Sequence, residues 1–137
     1  MGRKVVCLTV VAFLLTLAMT SCGGDGSVTL TFNQTSSDCA TASQSAGAIQ
    51  CNDGVLTFEG SVLTPNPCYY LTANLDVMNK SDIVIVISAM PALLGQDAYC
   101  VECVGQMAFS GEVSPVGSCS RSVSIVYNGD TIAEYED

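Results

Sequence analysis

Apolar side chains in this sequence recur at every second position, in one stretch after another, and that period leaves few folds open. Between Ala98 and Val113, residues Tyr99, Val101, Cys103, Gly105, Met107, Phe109, Gly111 and Val113 are apolar or small. The intervening Cys100, Glu102, Val104, Gln106, Ala108, Ser110 and Glu112 are mostly polar. A period of two is that of a half-buried strand, with core and solvent on opposite sides. A helical reading scatters Glu102, Gln106 and Glu112 among the apolar positions, so the stretch predicts a strand.

The same alternation appears at Ser27–Asn33, Gly54–Thr64, Cys68–Met78, Cys119–Tyr127 and Asp130–Tyr135. Ile83–Ile87 is apolar on both parities and β-branched throughout, which suits a central strand covered on both faces. Asn52-Asp-Gly54, Pro65-Asn-Pro67, Asn79–Asp82, Ser114–Gly117 and Asn128-Gly129 punctuate these runs, the last being the strongest hairpin signal. Gln34–Gln50, rich in Ser, Thr and Ala, reads as a loop. About seven strands at this spacing, with almost no helical pattern, predict an all-β fold. The expected form is a disulfide-linked antiparallel β-sandwich of immunoglobulin-like type, with a small barrel as the alternative.

The first residues read as an address. Met1–Lys4 is basic and Val5–Met19 is an apolar run of fifteen, the form of a signal peptide and short for a membrane span. Leu17-Ala-Met-Thr-Ser-Cys22-Gly-Gly resembles the cleavage box of prokaryotic lipoproteins, in which the cysteine after the cut carries lipid; Met19 stands where that box usually has Leu. The expected organisation is a leader over 1–21, lipidated Cys22 and a tether over 22–27, and one domain over 28–137. The alternative is an ordinary signal peptide with Cys22 as a spare thiol. Removing the leader leaves 116 residues, with Lys80 and Arg121 against thirteen acidic residues, a net charge of −11. Such a surface repels nucleic acid and anionic headgroups, so membrane attachment must come from acyl chains on Cys22. Acidity also serves simply to keep an exported domain soluble.

Six cysteines remain in the domain: Cys39, Cys51, Cys68, Cys100, Cys103 and Cys119. An even number in a small exported domain predicts three disulfides and an oxidising compartment. Cys100-Val-Glu-Cys103 invites a redox reading, but that chemistry needs the pair to open a helix. In a strand the α-carbons of residues three apart lie roughly 10 Å apart, against the ~5.5 Å a disulfide prefers, so the two should bond to different partners. Cys68 suits one of them and Cys119 the other, which leaves Cys39 with Cys51. That last pair would close a ring worth about 3 kcal/mol.

Conventional catalysis has little material. The absence of histidine removes the histidine-based triads, and a zinc site at Cys100 and Cys103 would require a second ligand pair where exported cysteines are usually oxidised. Lys80, beside Ser81, reads as a solvated turn lysine. Glu59, Glu102 and Glu112 fall on polar parity, where solvation explains them as well as glycoside cleavage would. No metal or cofactor is expected. Met90–Gly95 is the best candidate for contact with a partner, through Met90, Leu93 and Leu94; the competing expectation is that both leucines fold back to cap the sandwich.

Gly60-Ser-Val-Leu-Thr-Pro-Asn-Pro-Cys68-Tyr-Tyr-Leu, then a buried strand, then Cys100-Val-Glu-Cys103 and Met107-Ala-Phe109 together resemble a group of small prokaryotic secreted lipoproteins. Their shared pattern is a Thr-Pro-x-Pro-Cys turn and a downstream Cys-x-x-Cys strand in an all-β domain, with no established activity. The similarity covers about half of the chain beyond the leader and leaves out Cys39 and Cys51. It implies export and fold and is silent on function. The expected role is therefore a non-catalytic, lipid-anchored envelope protein, on the periplasmic or extracellular face, that binds a protein or cell-surface component. The alternatives are a protease inhibitor or stabilising subunit presenting a loop, and a thiol oxidoreductase using Cys100 and Cys103.

Overall fold

Eight strands arise where the alternation meets a partner. A computed structural model describes residues 27–78, 82–95 and 98–136. Its elements are β1 (Thr29–Cys39), β2 (Ala46–Asn52), β3 (Val55–Thr64), β4 (Tyr69–Met78), β5 (Asp82–Pro91), β6 (Gly105–Ser114), β7 (Ser122–Tyr127) and β8 (Asp130–Tyr135). They form two four-stranded sheets, ordered β1-β6-β3-β2 and β4-β5-β7-β8, with no helix among the described residues. The chain is a disulfide-linked β-sandwich. The leader, Cys22 and the Asn79–Ser81 part of the polar turn lie outside the described residues, as does all of the tether but Ser27.

Two hairpins are tight. Asp53-Gly54 joins β2 to β3 and Asn128-Gly129 joins β7 to β8, and all four residues have positive φ, as two-residue turns that follow strand twist require. One pairing departs from an antiparallel sandwich: β5 and β7 run parallel, because the chain visits the other sheet as β6 between them.

Three expectations about elements are corrected. Gln34–Gln50 is not one loop: the first strand runs on past Asn33 to Cys39, where β6 still offers it a partner, and residues 46–52 form an edge strand, β2. Its inward residues Gly47 and Ile49 are a weak signal, because β2 closes against β8 and only small groups fit: a Cβ on Gly47 would lie 3.2 Å from that of Ala133. Residues 98–104 are not strand. β6 begins at Gly105, opposite Cys39 of β1 and Thr64 of β3, and both neighbours end there, so earlier residues have nothing to pair with. Cys119–Arg121 likewise precede β7. Ile83, Ile85 and Ile87 are buried as expected, but Val84 and Val86 on the other face are only half-covered.

The core lies between the sheets and is built from alternate residues of β3, β5, β6 and β7, with Leu56, Phe58, Val62, Met107, Phe109, Ile85 and Ile125 among its members. Val116, from the β6–β7 connection, plugs one end; its N–H donates to the Gly54 carbonyl at 2.8 Å. Phe32, Phe58 and Phe109 pack at centroid distances of 5.8–6.5 Å. Each of the last two rings lies over a glycine on the neighbouring strand, Phe58 over Gly111 and Phe109 over Gly60. A Cβ on Gly111 would overlap the Phe58 ring. Across the sheets, the Tyr127 hydroxyl donates to the Leu63 carbonyl at 2.8 Å. Burial pushes the Tyr127 phenol above the ordinary 10.0 of tyrosine; a hydrogen bond with Asn128 opposes the shift and Tyr69 adds to it.

Two outcomes follow from this packing. Gly111→Ala should destabilise the domain by about 1–3 kcal/mol in urea unfolding, because the added methyl strikes both the Phe58 ring and the Thr31 carbonyl. A loss below a few tenths of a kcal/mol would mean that the rings repack freely. The folded state holds the Tyr127 proton more tightly than the unfolded chain does. Its contribution is complete below the unfolded value near 10 and is lost as pH rises through the folded one. The urea midpoint should therefore fall at alkaline pH, and less so in Tyr127→Phe, which at neutral pH costs about 1 kcal/mol.

Candidate functional site

Strand direction sorts the connections to two ends of the sandwich. At the end where β1 starts lie the β2–β3 hairpin, Val116 and Cys119. At the other end, where β1 finishes, lie Cys39, the β3–β4 crossover Pro65–Cys68 and the β5–β6 connection, residues 92–104. The disulfides are Cys39–Cys103, Cys51–Cys119 and Cys68–Cys100, with Cα–Cα distances of 5.7, 5.7 and 5.8 Å. The expected Cys39–Cys51 bond is not formed. β1 and β2 are opposite edges of one sheet, and the two residues sit at opposite ends of it. Cys119 accordingly takes Cys51, which lies at the same end of the sandwich as the β6–β7 connection, and Cys103 takes Cys39. Cys100 and Cys103 do bond to different partners, each from an irregular segment.

The far end is built outward from Cys68. Pro65 and Pro67 stop β3, since neither can donate to a ladder. Asn66 shapes the turn: its side-chain oxygen accepts from the Cys68 N–H at 3.0 Å, and its carbonyl accepts from the Thr64 hydroxyl at 2.7 Å. The Ser37 hydroxyl donates to the Pro67 carbonyl and so ties β1 to this turn. Cys68 then serves two partners. Its carbonyl accepts the Ala92 N–H at 2.9 Å, and its sulfur is bonded to Cys100. The Cys100 sulfur also lies 3.2 Å from Asn66 Oδ1; a disulfide sulfur carries no hydrogen, so this is a contact only. Ala92 and Cys100 are thus both attached to one residue.

The β5–β6 connection carries apolar, exposed side chains. Leu93 stands entirely clear of the protein, Tyr99 is 96% exposed and Val101 63% exposed, with Leu94 and Val104 about half so. The expectation that Leu93 and Leu94 fold back as a cap is corrected, because the two attachments to Cys68 hold the loop outward. Tyr99 and Val101, assigned by parity to the core, face solvent for the same reason that 98–104 is not strand. Met90 sits at the end of β5 beside Tyr70, whose hydroxyl lies 3.4 Å from the Met90 sulfur. Leu93, Leu94, Tyr99, Val101 and Val104 belong to one connection, with Met90 and Tyr70 at its foot. Sequence reading found three members of this group. The missing signal was that an apolar parity pattern reaching beyond the partner strands has no core to face.

The other candidates separate. Glu59 and Glu112 lie on adjacent strands of the outer face of the first sheet, in register with Ser110 and Thr57 respectively. They line a shallow trough of about 410 Å³ with Thr31, Asn33, Gln50 and Ser110. Both are exposed, and nothing above them excludes water. Glu102 is at the far end, and Lys80 and Ser81 lie outside the described residues. Cys100 and Cys103 meet neither each other nor a helix terminus. Among the described residues no group of three or more Cys, Asp or Glu could hold a metal ion. No family model matches the chain, and no curated protein or solved structure matches it.

An unreduced proteolytic digest of the oxidised protein should yield peptides joining Cys68 to Cys100 and Cys39 to Cys103. A Cys100–Cys103 ring in that digest would overturn this account of the far end.

Proposed function

We propose that this chain is an exported, lipid-anchored envelope protein that acts by binding, without catalysis of its own, and that it meets its partner through the cysteine-braced end. The carrying observation is the outward apolar group of Leu93, Leu94, Tyr99, Val101 and Val104, held on a loop that two disulfides keep from collapsing. Five large apolar side chains exposed on one connection are more than the scattered single ones an ordinary surface carries, and a partner that covers them accounts for the excess.

Orientation supports the same reading. β1 has 11 residues and spans roughly 35 Å. It starts at the end where the tether joins and finishes at the braced end. A lipid on Cys22 would place the membrane beside the first, so the apolar group points away from its own bilayer and toward a soluble or surface partner. The acidic balance of the chain makes the partner's rim neutral or basic.

A photo-crosslinking side chain at Leu94 or Tyr99 should give a discrete adduct in intact cells, whereas one at Thr57, on the outer face of the first sheet, should not. Leu93→Ser with Val101→Ser should lower adduct yield severalfold while changing stability by less than about 0.5 kcal/mol, since both side chains are exposed. Adducts from Thr57 alone, or from no position, sink the binding surface. Cys22→Ala should move the protein out of the membrane fraction, and retention there counts against the anchor.

A further inference from the structure

We infer that Ala92–Gly95 is a substrate-like loop that enters the active site of a serine endopeptidase with an apolar primary pocket, and that Leu93 fills the pocket. This deepens the binding role proposed above and rests on it. Endopeptidases take their substrates as extended segments, gripping the backbone and inserting one side chain. Ala92–Gly95 contains neither turn nor bend, and Leu93 is its most exposed residue. Pro91 before it has a ring-locked φ, and Ala92 is held by its hydrogen bond to Cys68. Much of the entropy lost when a flexible peptide binds is therefore already spent in folding. Leucine at the tip, with no lysine or arginine in the segment, selects a pocket lined by apolar groups over one with a carboxylate at its base.

What separates an inhibitor from a substrate is the fate of the cut ends, and here Cys68 decides it. Hydrolysis of the Leu93–Leu94 bond consumes one water. Its hydroxyl goes to the new Leu93 carboxyl and its proton to the new Leu94 amine. The first end stays on β5, with Ala92 on the Cys68 carbonyl one residue from the cut. The second end leads within a few residues to Cys100, bonded to the Cys68 sulfur. Neither end diffuses away. Holding two reacting ends together raises their effective concentration by orders of magnitude, so resynthesis competes with release and the enzyme stays occupied.

Chymotrypsin and subtilisin are the probes, with trypsin as counter-probe, acting on the full exported and oxidised chain. One equivalent should abolish the activity of at least one of the first two and leave trypsin untouched. Leu93→Gly should weaken inhibition by about 30-fold or more, the size of a central contact residue. Leu93→Lys should transfer inhibition to trypsin by a similar factor; the residue is fully exposed, so folding is unaffected. Removing the clamp with Cys68→Ala and Cys100→Ala should turn the loop into a substrate, cut at Leu93–Leu94 with inhibition lost. Rapid cleavage of the intact oxidised chain at that bond, inhibition indifferent to Leu93, or no inhibition by either the native chain or Leu93→Lys would each overturn the inference. Adducts from Leu94 that persist while every protease arm fails would remove this inference and leave the binding role standing; their loss as well would remove both.

Discussion

Every passage of the chain from one sheet to the other is closed by a disulfide. There are three such passages, β3 to β4, β5 to β6 and β6 to β7, and they carry Cys68, Cys100 with Cys103, and Cys119. The loops these bonds close are long, with sequence separations of 64, 68 and 32, so each withdraws roughly 4 kcal/mol of entropy from the unfolded chain in the loop-closure model. Of the six cysteines only Cys51 packs against the core, whose buried members are isoleucine, phenylalanine, methionine and other apolar side chains. The bonds act on the ends of the sandwich and the apolar residues on its middle. That division lets one end carry side chains that add nothing to the core.

Much of this was legible in the sequence because period-two alternation reports directly on a two-layered sheet. Met107, Phe109 and Val113 are buried as their parity requires, and so are Leu56, Phe58, Val62, Val123, Ile125 and Tyr127. Parity has two blind spots here. It cannot see where a neighbouring strand stops, so the alternation that ends in Val113 continues seven residues past the last available partner. It is also weak where two sheets converge at an edge, because the residues that let them converge are Gly47 and Ala133 and small side chains look the same on either face. Disulfide pairing failed for a related reason. Nearness in sequence favoured Cys39 with Cys51, yet sheet order separates them by two intervening strands.

Residues 98–104, whose alternation has no strand to pair with, supply three members of the candidate site. Tyr99, Val101 and Val104 carry the composition of a core strand but are held outside one by the bonds from Cys100 and Cys103. A free loop of this composition would lower its free energy by folding onto the nearest apolar surface. The half-covered Val84 and Val86 lie on the outer face of the second sheet, toward which Met90 and Tyr70 also turn. Anchoring at Cys68 and Cys39 forbids that retreat, so the exposed state is imposed by covalent geometry.

The same constraint is what the proposed binding role draws on. Catalysis needs groups that converge on a reacting atom in a place that excludes water. Among the described residues, the carboxylates of Glu59 and Glu112 stand in a shallow trough on the open face of the first sheet. Recognition needs only a rigid projection with apolar surface, and rigidity is what Cys68 supplies. Its carbonyl holds Ala92 and its sulfur holds Cys100, so both ends of the connection that carries Leu93 and Leu94 are fixed to one residue. Small size, which limits how much core this chain can build, does not limit how firmly it can hold out a few side chains.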